Sequence, residues 1–183
     1  FRKLHLEVAL IGSDLQILHC VFFPDPQYDI PIFGADVVVS SFGVNAAIVD
    51  LSPVSKNLSQ NVINLLDELP PREFSKVRQL PDWASIFSSY VLFVKPNGTQ
   101  DENHYLEIVD SYLRILLAQM NSLEPDEIDS PLTIERHKGQ TLYCNQQRLN
   151  QKTKAILSKA FNPNWADRYI EDFLFDFPPP LKL

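Results

Sequence analysis

Glycine and cysteine are scarce in this chain of 183 residues, with five of the first and two of the second. Five scattered glycines form no GxGxxG or Walker A loop, so nucleotide binding lacks its usual signature, and HExxH and GxSxG are missing too. Cys20 and Cys144 are too few for a disulfide framework and show no CxxC spacing for zinc, so both read as reduced thiols and no metal site is expected. Positive charge is also short, with 16 Lys and Arg against 23 Asp and Glu for a net charge of -7, which argues against a nucleic-acid partner held by phosphate contacts. No apolar run approaches the roughly 18 residues that cross a bilayer, and the opening FRKLHLEV lacks the order of a signal peptide. The reading is a soluble, cytoplasmic, monomeric protein without a membrane segment. A hydrophobic content of 45% excludes disorder, and the length suits one domain over residues 1–183.

Proline is plentiful instead: 14 residues, clustered in PDPQYDIP, at Pro70 and Pro71 and at 178–180, where they read as fixed loops between elements. LHLEVAL at 4–10 alternates with the two-residue period of a strand, and LQILHCVFF resumes it after Gly12-Ser13-Asp14, which predicts a hairpin. If Ile11 pairs with Leu15, Glu7 lies opposite His19 and His5 opposite Val21, all four on one face. ADVVVS and VNAAIVDL flank Ser41-Phe42-Gly43 as a second hairpin, apolar on both faces, so cover on both sides is expected. SSYVLFVK at 88–95 reads as a further strand.

Later segments read as helices. One covers 58–68. A second opens on the capping-box pattern Thr99-Gln100-Asp101-Glu102 and runs to about Met120. A third spans about Ser130 to Phe161, with a break at Gly139 and with Leu149 turned inward. A last helix, capped by Asn162-Pro163, carries Trp165, Tyr169 and Phe173. Strands first and helices later favour an α+β fold, with a largely antiparallel sheet between helical layers.

Glu7, His19 and Asp36 each interrupt an otherwise apolar strand, where an unpaired charge is costly and a displaced protonation equilibrium is expected. The plain alternative is a set of paired core or rim residues. His5 reads equally as a hydrogen-bonded structural residue, and His104 and His137 as solvated. Arg148, Lys152, Lys154 and Lys159 gather on one helix, either as a solvated face or as a site for a carboxylate or an acidic partner.

RKLHLEVA, the block ILHCVFFPDPQYDIPIFGADVV, AAIVDLSP, LPDW and NQKTKAILSKAFNPNWADRYIEDFLFD resemble the ferredoxin-dependent bilin reductases over essentially the whole chain. The resemblance implies a three-layer α/β/α sandwich with biliverdin IXα bound between the sheet and the C-terminal helices. It implies no bound cofactor: electrons come singly from reduced ferredoxin, which carries the [2Fe-2S] cluster. By motif position Asp36 and His19 correspond to the family's central proton-donating pair, and Glu7 to the glutamate needed for reducing the D-ring vinyl group. His5 falls in the same network, Arg78 and Lys152 hold propionates with Asn150 nearby, and Trp83 forms pocket wall. His19, where phycoerythrobilin-forming relatives usually have Asn, points with Glu7 to the four-electron branch that gives phycocyanobilin. A sister reductase giving another phycobilin, or a non-catalytic tetrapyrrole-binding protein, are the alternatives. Gln151 departs from the acidic residue that is usual there. Family members also have a further N-terminal stretch, so the chain is expected to be a truncated piece whose early strand presents an unpaired edge.

Overall fold

The computed structural model describes residues 1–71, 73–120 and 123–182. Five strands form one antiparallel sheet in sequence order: β1 (Lys3–Ile11), β2 (Leu15–Phe23), β3 (Ile32–Ser40), β4 (Gly43–Ser52) and the short β5 (Leu92–Val94). The first hairpin has the expected register, with Ile11 opposite Leu15, Glu7 opposite His19 and His5 opposite Val21. Gly12 turns it at φ 62°, a left-handed conformation that other residues adopt only at a cost. β2 and β3 then place Asp36 beside His19.

Helices α1 (Gln60–Asp67) and α2 (Thr99–Met120) cover one face, where Cys20, Ala35, Val49 and Leu51 pack with Val62, Leu66, Tyr105 and Tyr112. Helices α3 (Pro131–Gln147), α4 (Gln151–Ala160) and α5 (Pro163–Tyr169) cover the other. There Val21, Phe23 and Ile32 meet Tyr143, Leu157, Ile170 and Phe175. The architecture is therefore the expected three-layer α+β sandwich. Each fully buried Leu, Ile, Val or Phe contributes about 1.5–3 kcal/mol, so both layers are held mainly by apolar burial. No helix among the described residues is long and apolar enough to cross a membrane.

The structure corrects several expectations. The 88–95 segment pairs only over Leu92–Val94, because Ser88 turns its backbone N–H and its hydroxyl onto Asp50, while Tyr90 N–H donates to Ser88 Oγ. Those groups are used in side-chain bonds rather than in a ladder. α2 starts at Thr99 itself, and its entry is closed by Asp101 Oδ2 accepting from Asn97 N–H at 2.9 Å rather than by a Thr99–Glu102 pair. The expected long third helix breaks at 148–150, not at Gly139. Asn150 caps the new helix by accepting from the N–H groups of Lys152 and Thr153, and Leu149 is 51% exposed rather than inward. The second hairpin is covered on both sides as expected, whereas on the edge strand β1 the α2-side row of Leu4, Leu6, Val8 and Leu10 is exposed, Leu10 to 73%. His104 stacks on Phe74 and His137 bonds the carbonyl of Pro179, so both are half-buried rather than solvated.

Gly139 sits inside α3 for a steric reason: a Cβ there would lie 1.8 Å from the carbonyl oxygen of Val54. Alanine normally favours a helix by about 1 kcal/mol over glycine, but this contact is with backbone and cannot rotate away. Gly139→Ala is expected to lower unfolding stability by about 3 kcal/mol in urea titrations, near the upper end for overpacking. A loss below about 0.5 kcal/mol, the range of neutral surface changes, would show that α3 can move off the strand connection freely.

Candidate active site

Two-residue alternation sends His5, Glu7, His19 and Asp36 to the face covered by α3–α5. His19 Nδ1 lies 2.5 Å from Asp36 Oδ1, and His5 Nε2 lies 3.3 Å from Glu7 Oε2. The two imidazoles are 5.5 Å apart, and the edge of His19 meets the ring of Phe175 at 5.8 Å. The sequence-derived trio and His5 thus form one connected cluster.

Its two histidines are pushed in opposite directions. Burial pulls the His19 pKa down, but the charge and hydrogen bond of Asp36 and the charge of Glu7 outweigh it, so the net displacement is upward. Burial and the nearby charge of His19 lower His5, against a smaller upward pull from Glu7. The upward displacement favours a proton on His19 beside Asp36, and the downward one favours a neutral His5. His19 Nε2 is buried and without a hydrogen-bond partner. A buried polar atom left unpaired is costly, and it marks a point where a polar group of a bound molecule would be satisfied. The Asp36 carboxyl is 41% exposed, so the pair is not dry on both sides. Protons can re-enter through it.

Arg78, Trp83, Asn150 and Lys152 share no hydrogen bond with this cluster among the described residues. Arg78 donates to the carbonyl of Asn45 at 2.6 Å and lies over Phe93, and Trp83 packs near Phe87, which leads to Tyr143. Asn150 spends its Oδ1 on the α4 cap, and Lys152 is exposed beside it. The basic residues do not share one helix as expected: Arg148 caps the end of α3 and is tied to the carbonyls of Phe175 and Glu171, whereas Lys152, Lys154 and Lys159 lie on α4, where Lys154 pairs with Asp167 at 2.6 Å. Lys152 and Lys159 stay exposed. No group of three or more His, Cys, Asp or Glu that could hold a metal occurs among the described residues. The sequence reading missed Tyr169 as a partner of this cluster, although its hydroxyl donates to Glu7 Oε2. The signal was the four-residue spacing of Phe161, Trp165, Tyr169, Phe173 and Phe177.

A sandwich whose sheet carries paired acids and histidines under C-terminal helices is an arrangement for supplying protons to a bound molecule. The chain belongs to the ferredoxin-dependent bilin reductases, whose family profile matches residues 1–176. It is 52% identical over 180 residues to a phycocyanobilin:ferredoxin oxidoreductase of Prochlorococcus marinus (strain MIT 9313), spanning 98% of this chain and 68% of that one. The enzyme of the same name from Trichodesmium erythraeum (strain IMS101) is 47% identical over 180 residues, 97% of this chain and 73% of that one. Tomato phytochromobilin synthase, solved in complex with biliverdin, superposes with a TM-score of 0.73 at 18% identity over 94% of this chain. That likeness shows the shared fold, and this chain spans 64% of the tomato chain.

Proposed function

We propose that this protein reduces biliverdin IXα to phycocyanobilin, taking electrons one at a time from reduced ferredoxin. The observation that carries the reading is the orphaned, buried Nε2 of a His19 held by Asp36, within a cluster that also contains Glu7 and His5. Relatives 47–52% identical that bear the phycocyanobilin:ferredoxin oxidoreductase name support it. Each electron makes the open-chain tetrapyrrole more basic, so a proton must follow it. Biliverdin with four electrons and four protons balances as phycocyanobilin. His19 and Asp36 supply protons at the pyrrole and lactam side, and Glu7 serves the D-ring vinyl group. Arg78 and Lys152 orient the propionates, Asn150 holds the start of α4, and Trp83 forms part of the wall.

The test is anaerobic turnover with biliverdin, ferredoxin and a reducing system, read by the product's absorption spectrum. Phycocyanobilin is the expected product, whereas a different phycobilin would make the protein a sister reductase. Binding without turnover would make it a tetrapyrrole carrier. Plant-type ferredoxins are acidic, so a protein of net charge -7 must dock one on a local basic surface, for which α4 with its exposed Lys159 is the candidate. Ferredoxin-limited turnover is expected to fall as salt rises, since exposed charges are screened beyond about 10 Å at 0.1 M. A salt-independent rate counts against this docking mode.

A further inference from the structure

After Tyr169 the last helix changes character. Residues Ile170–Leu174 form a π-helical turn, closed by the Phe175 N–H donating to the carbonyl of Ile170 at 2.9 Å. Such turns are rare and often occur at functional positions. A row of side chains four residues apart drifts about 40° per step around an α-helix, and the wider π turn opposes that drift. The π turn thus keeps Phe173 on Tyr169, at 5.8 Å and 20°, while within α5 Tyr169 stacks on Trp165 at 4.6 Å and 12°, and Phe161, ahead of the α5 cap, tilts against Trp165 at 4.0 Å. The Tyr169 ring is held on both faces, which fixes where its hydroxyl points.

That hydroxyl donates to Glu7 Oε2, the oxygen that also faces His5 Nε2. Burial, then the hydrogen bond and charge of Glu7, keep the phenol proton on Tyr169 far above its ordinary range, so it remains a donor at any working pH. The Glu7 side chain sits on the edge strand β1, on the face opposite its exposed row, and among the described residues makes no other hydrogen bond than these two. One is at the long end of the range and the other comes from a clamped ring.

We propose that Tyr169 is the positioning residue for Glu7: its hydroxyl, fixed by the aromatic stack, aims the carboxyl group at the vinyl end of the bound bilin. The inference rests on the reductase reading above. No proton passes through Tyr169, whose part is to orient the acid. Charge-assisted hydrogen bonds of this kind are strong and directional, and a misplacement of about 1 Å can cost a hundredfold in rate.

Tyr169→Phe keeps the ring and its stacking and removes only the donor. In the bilin-free protein carrying isotope-labelled glutamate, the infrared carboxylate band of Glu7 is expected to move in Tyr169→Phe, and the same substitution made in a Glu7→Gln background is expected to leave the carboxylate region unchanged. In turnover, kcat is expected to fall tenfold to a hundredfold with KM within about twofold. The product mixture should gain bilins that retain the D-ring vinyl group. In a Glu7→Ala background Tyr169→Phe should add no further loss. An unmoved infrared band overturns the proposal, as does an equal loss of kcat with and without Glu7, which would mark a structural role. If the unaltered protein binds biliverdin and does not turn it over, the reductase reading fails on its own, while a shifted infrared band still supports Tyr169 as the group that orients Glu7.

Discussion

Asp36→Asn is expected to bind biliverdin with near-normal affinity and to lose at least about a hundredfold of its turnover, with a one-electron-reduced bilin accumulating. Asparagine keeps the shape and can still accept from the imidazole, so the geometry of β2 and β3 survives. It has neither the proton nor the charge. Two carriers are disarmed by this one change. Asp36 can no longer donate, and His19 loses the charge and the ionic hydrogen bond that hold its pKa up against burial. Burial then dominates, His19 becomes neutral near pH 7, and Nε2 is no longer reliably a donor. Ferredoxin still delivers the first electron, because nothing at its docking surface has changed, and the bilin radical waits for a proton. Freeze-quench electron paramagnetic resonance and anaerobic absorption spectra measure the radical directly. If Asp36→Asn makes phycocyanobilin at the unmutated rate with saturating reduced ferredoxin, Asp36 is not the donor and the assignment of the pair is wrong.

What the sequence discloses about this site is the part set by short-range periodicity. Alternation and the Gly12-Ser13-Asp14 turn fix the β1–β2 register, and that register brings Glu7, His5 and His19 to one face. A strand neighbour then delivers Asp36. What stays hidden depends on partners far along the chain. Gly139 looks like a helix breaker, yet its lack of a side chain serves a contact with Val54 while the helix continues through it. Ser88 looks like the start of a strand until Asp50 claims its hydrogen bonds. Arg148 looks like one more docking cation, although it is tied to the carbonyls of the C-terminal segment and stacked over Phe177. Tyr169 reads as one more aromatic of the last helix, and only the fold shows that its hydroxyl reaches Glu7. In each case the local pattern names the residue and a distant partner assigns its role.

Glu7→Gln is the substitution that separates the two proton sources, and its expected result is a change of product rather than a stop. Glutamine keeps an oxygen for the Tyr169 hydroxyl and the length to reach His5, so the side chain stays in place. The acid is gone, and so is a negative charge that helps to raise both histidines. For His19 that loss is bearable, because Asp36 supplies the larger upward contributions and remains 2.5 Å away. Protonation at the His19–Asp36 side therefore continues and biliverdin is still consumed. Reduction of the D-ring vinyl group, the step proposed above for Glu7, is expected to stop. The outcome is phycocyanobilin reduced by about a hundredfold, the usual minimum for a lost proton donor, with partly reduced bilins that retain the vinyl group in its place. Chromatography of the products under anaerobic turnover separates this from Asp36→Asn, in which every product falls together. An unchanged product ratio in Glu7→Gln would mean that one pair serves both ends of the bilin, and that the Tyr169–Glu7 contact orients a group the reaction does not use.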